Sequence, residues 1–161
     1  MEQSYVTAIQ AIQAILAPAL GISAVALLML GLTNRYSNIV TRIRLLNDEK
    51  RKMNRLLGDE GELSFTDSTR YISVKKQSEE LLLRSRIIRN AILSLQTAIG
   101  LFVLTSATIA LNIFLNAEAI KILPLFIFIL GMFSLFVGVL HSAKEIHRSY
   151  KIILMEVRGE E

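Results

Sequence analysis

Between residues 90 and 112, Asn90, Ser94, Thr97, Leu101, Thr105, Thr108 and Asn112 recur at spacings of four, three, four, four, three and four. That spacing lays hydroxyl and amide side chains along one stripe of a helix. The residues around them are apolar, and a polar stripe in such a helix is costly against lipid, so it faces protein or water. Two chemistries fit. Small polar side chains hydrogen-bond between packed helices. The same groups line water-filled pores, where their oxygens replace part of an ion's hydration shell, and there Leu101 would be the apolar constriction.

Three further sets of ionisable residues stand at the edges of apolar stretches. Glu118, with Lys121, lies in a short polar link; in an oligomer it would form an outer ring that attracts cations, and otherwise it is a solvated charge on a turn. His141 and Glu145 are four apart on one helical face. They could titrate as an inner gate or hold a metal, but two ligands fall short of a closed site, and a hydrogen-bonded pair is the plainer reading. Arg35, Arg84, Arg86 and Arg89 fall where anionic headgroups would lie, and snorkelling together with topology accounts for them as membrane anchors.

What is missing bounds the function as well. The chain has no cysteine, which excludes disulfides, thiol catalysis and Cys-based metal sites. No His-Glu-x-x-His run sets two histidines four apart around a catalytic glutamate, no glycine-rich loop follows a strand, and Gly58 and Gly61 lack the Lys and Ser or Thr of a phosphate loop. The expectation is a protein that is not an enzyme and needs no cofactor or metal. The formal charge of +4 invites a nucleic-acid reading, but a basic balance follows from membrane topology alone, so no nucleic-acid partner is expected.

The elements that must position these residues follow from the distribution of the 52% hydrophobic residues. They concentrate in three stretches, about residues 11–33, 90–115 and 122–141, each long enough to cross a bilayer. The first is not preceded by Lys or Arg, so it reads as a retained span rather than a cleaved signal. Residues 35–89 are rich in both charge signs, and the excess of Lys and Arg places them in the cytoplasm. Within them Ile39, Ile43, Leu46 and Met53, and then Tyr71, Val74, Leu81 and Ile88, recur at helical spacing on either side of a glycine-containing turn. This predicts an antiparallel helical hairpin whose second arm, capped at Thr66, Asp67 or Ser68, continues into the second span. The polar tail, residues 142–161, is cytoplasmic by its charge. The fold class is therefore all-α: one membrane domain with three transmembrane helices, N-terminus out and C-terminus in, and a long cytoplasmic hairpin between the first and second.

Small residues suggest association. Ala17, Gly21, Ala24 and Gly31 in the first span, and Gly131, Ser134 and Gly138 in the third, form stripes that let helices approach closely. Together with the polar stripe they offer more packing surface than one three-helix bundle needs, and a homo-oligomer is expected.

Two segments carry a resemblance. Residues 32–49 contain Asn34, Arg35 and Tyr36 leaving the first span, then Ile43, Arg44 and Leu45 or Leu46; residues 81–98 contain Arg84 and Arg86 entering the second. These resemble the Asn-Arg-aromatic, Ile-Arg-x-Leu and Arg-x-Arg runs of the bacterial membrane-protein family catalogued as domain of unknown function 2721. The resemblance implies a three-span protein of the bacterial inner membrane and brings no activity with it.

The function expected is a homo-oligomeric channel or permeation pathway lined by the second span. The alternative is a non-conducting scaffold or signalling protein that recruits a cytoplasmic partner through the hairpin. The lipid bilayer and further copies of the chain are partners under both.

Overall fold

A computed structural model describes the backbone of residues 2–60, 65–115 and 122–158, with side chains for 12–55, 68–112 and 122–147. All three elements are helices: α1 (Glu2–Glu60), α2 (Phe65–Leu115) and α3 (Leu123–Arg158). Within them Ile12–Arg55, Ser68–Asn112 and Leu123–His147 are long and apolar enough to cross a membrane. At 1.5 Å per residue the helices are about 90, 75 and 55 Å long, well beyond the ~30 Å of a bilayer core, so each carries a polar extension.

The first span and the polar segment after it form one 59-residue helix. Sequence reading places that continuity in the second element; α1 shares it, because nothing between Gly31 and Gly58 breaks a helix. Pro18 lies inside α1 and is fully buried, and with no N–H it leaves the carbonyl four residues earlier without its helical donor. The expected N-cap of the second helix is displaced. α2 already begins at Phe65, which puts Thr66, Asp67 and Ser68 inside its first turn.

Helix α2 is the central element. It packs along both α1 and α3, which scarcely touch one another. The pairings run in opposite senses: Gly21 and Glu49 of α1 meet Phe102 and Arg70 of α2, while Gly131 and Glu145 of α3 meet Phe102 and Arg84. Both neighbours are therefore antiparallel to α2.

Its inner face is a strict three-four alternation of buried residues, Ile88, Ala91, Leu95, Ala98, Phe102 and Thr105. Val25, Leu32 and Ile39 of α1 complete this core. Farther along, Leu46 and Val74 are buried, and Ile43, Met53, Tyr71 and Leu81 are half-buried. Arg70 donates to Glu49 at 2.8 Å, and the Lys50 ammonium lies 5.9 Å from the centroid of the Tyr71 ring.

Close approach within the apolar segments depends on glycine. A methyl group at Gly21 would sit 3.0 Å from Phe102 Cε2, and one at Gly131 would sit 2.8 Å from Phe102 Cε1. The ring is thus held between two helix backbones, with the Phe128 ring tilted beside it, centroids 5.5 Å apart. Gly138 receives Leu95 in the same way, its added methyl 2.8 Å from Leu95 Cδ2. Lipid is as apolar as leucine, so contact area gained by such close packing has to do the work that water exclusion does elsewhere.

Gly131→Ala is expected to lower the midpoint of thermal unfolding in detergent by an overpacking cost of about 1–3 kcal/mol, because the trapped ring has nowhere to retreat. Gly31→Ala, whose methyl meets nothing within 4 Å, should be neutral or stabilising. Circular-dichroism melts of the two variants check this. Equal midpoints for Gly131→Ala and the wild type would mean that the ring yields.

Candidate functional site

The structure divides the polar stripe of α2 between two faces. Thr105 is buried, and Ser94, Leu101, Thr108 and Asn112 are half-buried. Leu101 lies against α3, its Cβ 3.3 Å from where a Gly131 methyl would be. Ser134 of α3 donates to the Ser94 carbonyl at 2.8 Å. Asn90 and Thr97 point outward and are exposed.

The hydroxyl groups are largely satisfied within their own helix. Ser94, Thr97, Thr105 and Thr108 each donate to the carbonyl four residues earlier, at 2.8–3.0 Å. Such back-bonding removes most of the cost of setting a hydroxyl among apolar groups.

Seven positions on the outer side of α2 form a second alternation of three and four: Asn90, Leu93, Thr97, Gly100, Leu104, Ala107 and Leu111, all exposed. Gln96 flanks it and is also exposed. Neither the Asn90 nor the Gln96 amide has a hydrogen-bond partner among the described residues. A Cβ at Gly100 would meet nothing within 4 Å. The Asn90–Asn112 spacing misses Gln96 and Gly100, because they lie about a third to nearly half a turn around the helix from Ser94, Leu101 and Thr105. The signal that finds them is glutamine itself, a long amide in the middle of an apolar segment.

The charged residues meet at one end of the apolar segments. Glu145 of α3 is 3% exposed. Its Oε1 accepts from Arg84 Nη2 of α2 at 3.0 Å, and its Oε2 lies 3.6 Å from Arg35 Nη1 of α1. Three helices thus contribute one charge each, and the group carries a net charge of +1. Arg84 Nε is buried without a hydrogen-bond partner. An unsatisfied buried donor costs about 1–3 kcal/mol.

The inner gate pair expected from the spacing of His141 and Glu145 is replaced by this arrangement. His141 turns back along its own helix, where Nδ1 donates to the Val137 carbonyl at 2.9 Å, while the carboxylate reaches across to the two arginines. Arg84 and Arg35, expected as anchors for headgroups, engage Glu145; Arg86 and Arg89 are exposed. Glu118 and Lys121 lie outside the described residues. No group of three or more His, Asp or Glu that could hold a metal occurs among the described residues.

Two apolar helices packed antiparallel on a third, each with a polar extension and all joined at one end by a buried ion-pair cluster, define a multi-pass membrane protein. The family model described as protein of unknown function (DUF2721) matches residues 15–155. The chain belongs to that family, which has no assigned activity. No curated protein and no solved structure matches it.

Glu145→Ala leaves two arginines facing one another at a partly buried site and should cost about 3–5 kcal/mol of stability. Glu49→Ala breaks the exposed pair with Arg70 and should cost less than about 1 kcal/mol. Thermal melts of both variants test the contrast. Similar losses would mean that the three-helix cluster contributes no more than a surface pair.

Proposed function

We propose that this chain is the subunit of a homo-oligomeric permeation pathway for small cations in the bacterial inner membrane, assembled on the outer face of α2. One observation carries this reading: Asn90, Gln96 and Thr97 face outward from an apolar segment, and the two amides lack partners within the subunit. Against lipid, such amides are costly. Around a symmetry axis they would meet water or their own copies, and their oxygens would replace part of an ion's hydration shell. The lining thereby moves from Leu101, which α3 covers, to Asn90, Gln96 and Thr97.

The excess of Lys and Arg in residues 35–89 favours a cytoplasmic location for the extensions of α1 and α2, with the N-terminus outside and the C-terminus inside. Their paired arms would form a hairpin and, in the oligomer, an inner vestibule. Glu118 would contribute a ring at the outer mouth and bias it toward cations.

A second reading is a non-conducting scaffold, and the exposure of Leu45 and Ile72 on the polar extensions favours it. They are 65% and 67% exposed, while Leu46 and Val74 are consumed between the arms. Apolar side chains outside the bilayer are a foothold for a partner protein.

Counting subunits in nanodiscs and measuring cation flux from proteoliposomes separates the readings. The channel requires four or more copies, and Gln96→Leu should lower flux roughly tenfold by removing the amide at mid-span. A dimer with no flux would remove the channel and leave the scaffold, and capture of its partner should then fail for Leu45→Lys and Ile72→Lys. Where the outer face meets only lipid, Gln96→Leu would instead raise thermal stability and leave the subunit count unchanged.

A further inference from the structure

Because α1 and α3 pack on α2 but scarcely on each other, a groove of about 320 Å³ runs between them. Leu28, Gly31 and Leu32 form one wall, Gly138 and Val139 the other, and Leu95 of α2 the floor. The groove opens sideways at membrane depth, where Leu27 is 72% exposed. At one end it reaches Arg35 and Ser142, and there it adjoins an open pocket of about 370 Å³ lined by Arg35, Asn38, Arg84 and Glu145 together with Ile39 and Ile146.

We propose that this groove binds an anionic phospholipid, with its phosphate at Arg35 and Arg84 and one acyl chain lying along Gly31 and Gly138. Charge complementarity selects that occupant. Glu145 offsets only one of the two guanidinium groups, and each of its oxygens is directed to a different arginine. Arg35 keeps half of its side chain exposed, and the Arg84 side chain, a quarter exposed, lines the pocket beside it. A phosphate oxygen suits both, since guanidinium groups bind phosphate through several hydrogen bonds at once. The Asn38 amide, one turn along α1 from Arg35, supplies a further donor at the same cavity. The apolar walls lead away from the charges toward mid-membrane, as the ester-linked chain of such a lipid must. Gly31 gives the chain its room, because nothing lies within 4 Å of the position its Cβ would take. The proposal does not depend on conduction, since a scaffold would hold the lipid equally well.

The test uses the full chain in zwitterionic detergent, with native mass spectrometry to count retained lipids from equal mixtures of phosphatidylglycerol and phosphatidylcholine. The wild type should retain phosphatidylglycerol with a preference of about tenfold. Arg35→Gln should bring that preference close to parity. Gly31→Leu should reduce retention of both lipids by filling the path of the chain, and its circular-dichroism melt in lipid-free detergent should match the wild type. Equal retention of the two lipids by the wild type would overturn the proposal, as would indifference to both substitutions. Glycerol 3-phosphate displacing the lipid at similar concentration would reassign the cluster to a soluble phosphate. A Gly31→Leu variant that changed the subunit count and left lipid retention untouched would reassign the groove to a second copy of the chain.

Discussion

Glu145 is where the three helices meet in one interaction. α1 and α3 share almost no packing, so their relative position is set through α2 along the apolar segments and through this carboxylate at one end. The carboxylate is buried, and two arginines from two other helices face it and offset the cost of burying its charge. Close packing such as that of Phe102 between Gly21 and Gly131 resists slippage along the apolar segments. A buried ion pair with a defined partner on each side penalises such slippage, because any shift that separates the charges leaves one of them buried and unmatched.

The apolar segments solve a different problem. In lipid there is little reward for bringing leucines together, so the chain gains adhesion by close approach. Phe102 does this for both interfaces at once, its ring pressed toward Gly21 on one side and Gly131 on the other. Gly138 admits Leu95 on the same principle. With these glycines consumed inside the subunit, the small-residue stripe of α3 is accounted for by its own fold. The unaccounted surface is the outer face of α2, with the amides of Asn90 and Gln96 and the open backbone at Gly100.

Helix continuity links these features. The extensions of α1 and α2 are rigid prolongations of the membrane segments, tied to each other by Leu46, Val74 and the Arg70–Glu49 pair. The Glu145 cluster sits where the apolar segments pass into these extensions, and the groove between α1 and α3 ends at its residues. The arrangement couples the headgroup region to the polar arms without any flexible segment between them.

Much of this architecture is legible in the sequence for simple reasons. Three apolar stretches of membrane length, the strongly charged segment between the first two, and apolar residues at helical spacing along it determine an all-helical multi-pass chain, because hydropathy and periodicity are local properties. The Asn90–Asn112 spacing singles out α2 by its polar residues. Which side of α2 is covered is not local. Ser94 and Leu101 turn to α3, Asn90 and Thr97 turn away, and only the antiparallel packing of two helices on one decides it. The partner of Glu145 is likewise decided by tertiary structure. Its sequence neighbour at the right helical spacing is His141, but a carboxylate gains more from two guanidinium groups than from one imidazole. Those groups lie 61 and 110 residues away and come within reach only after the helices have packed.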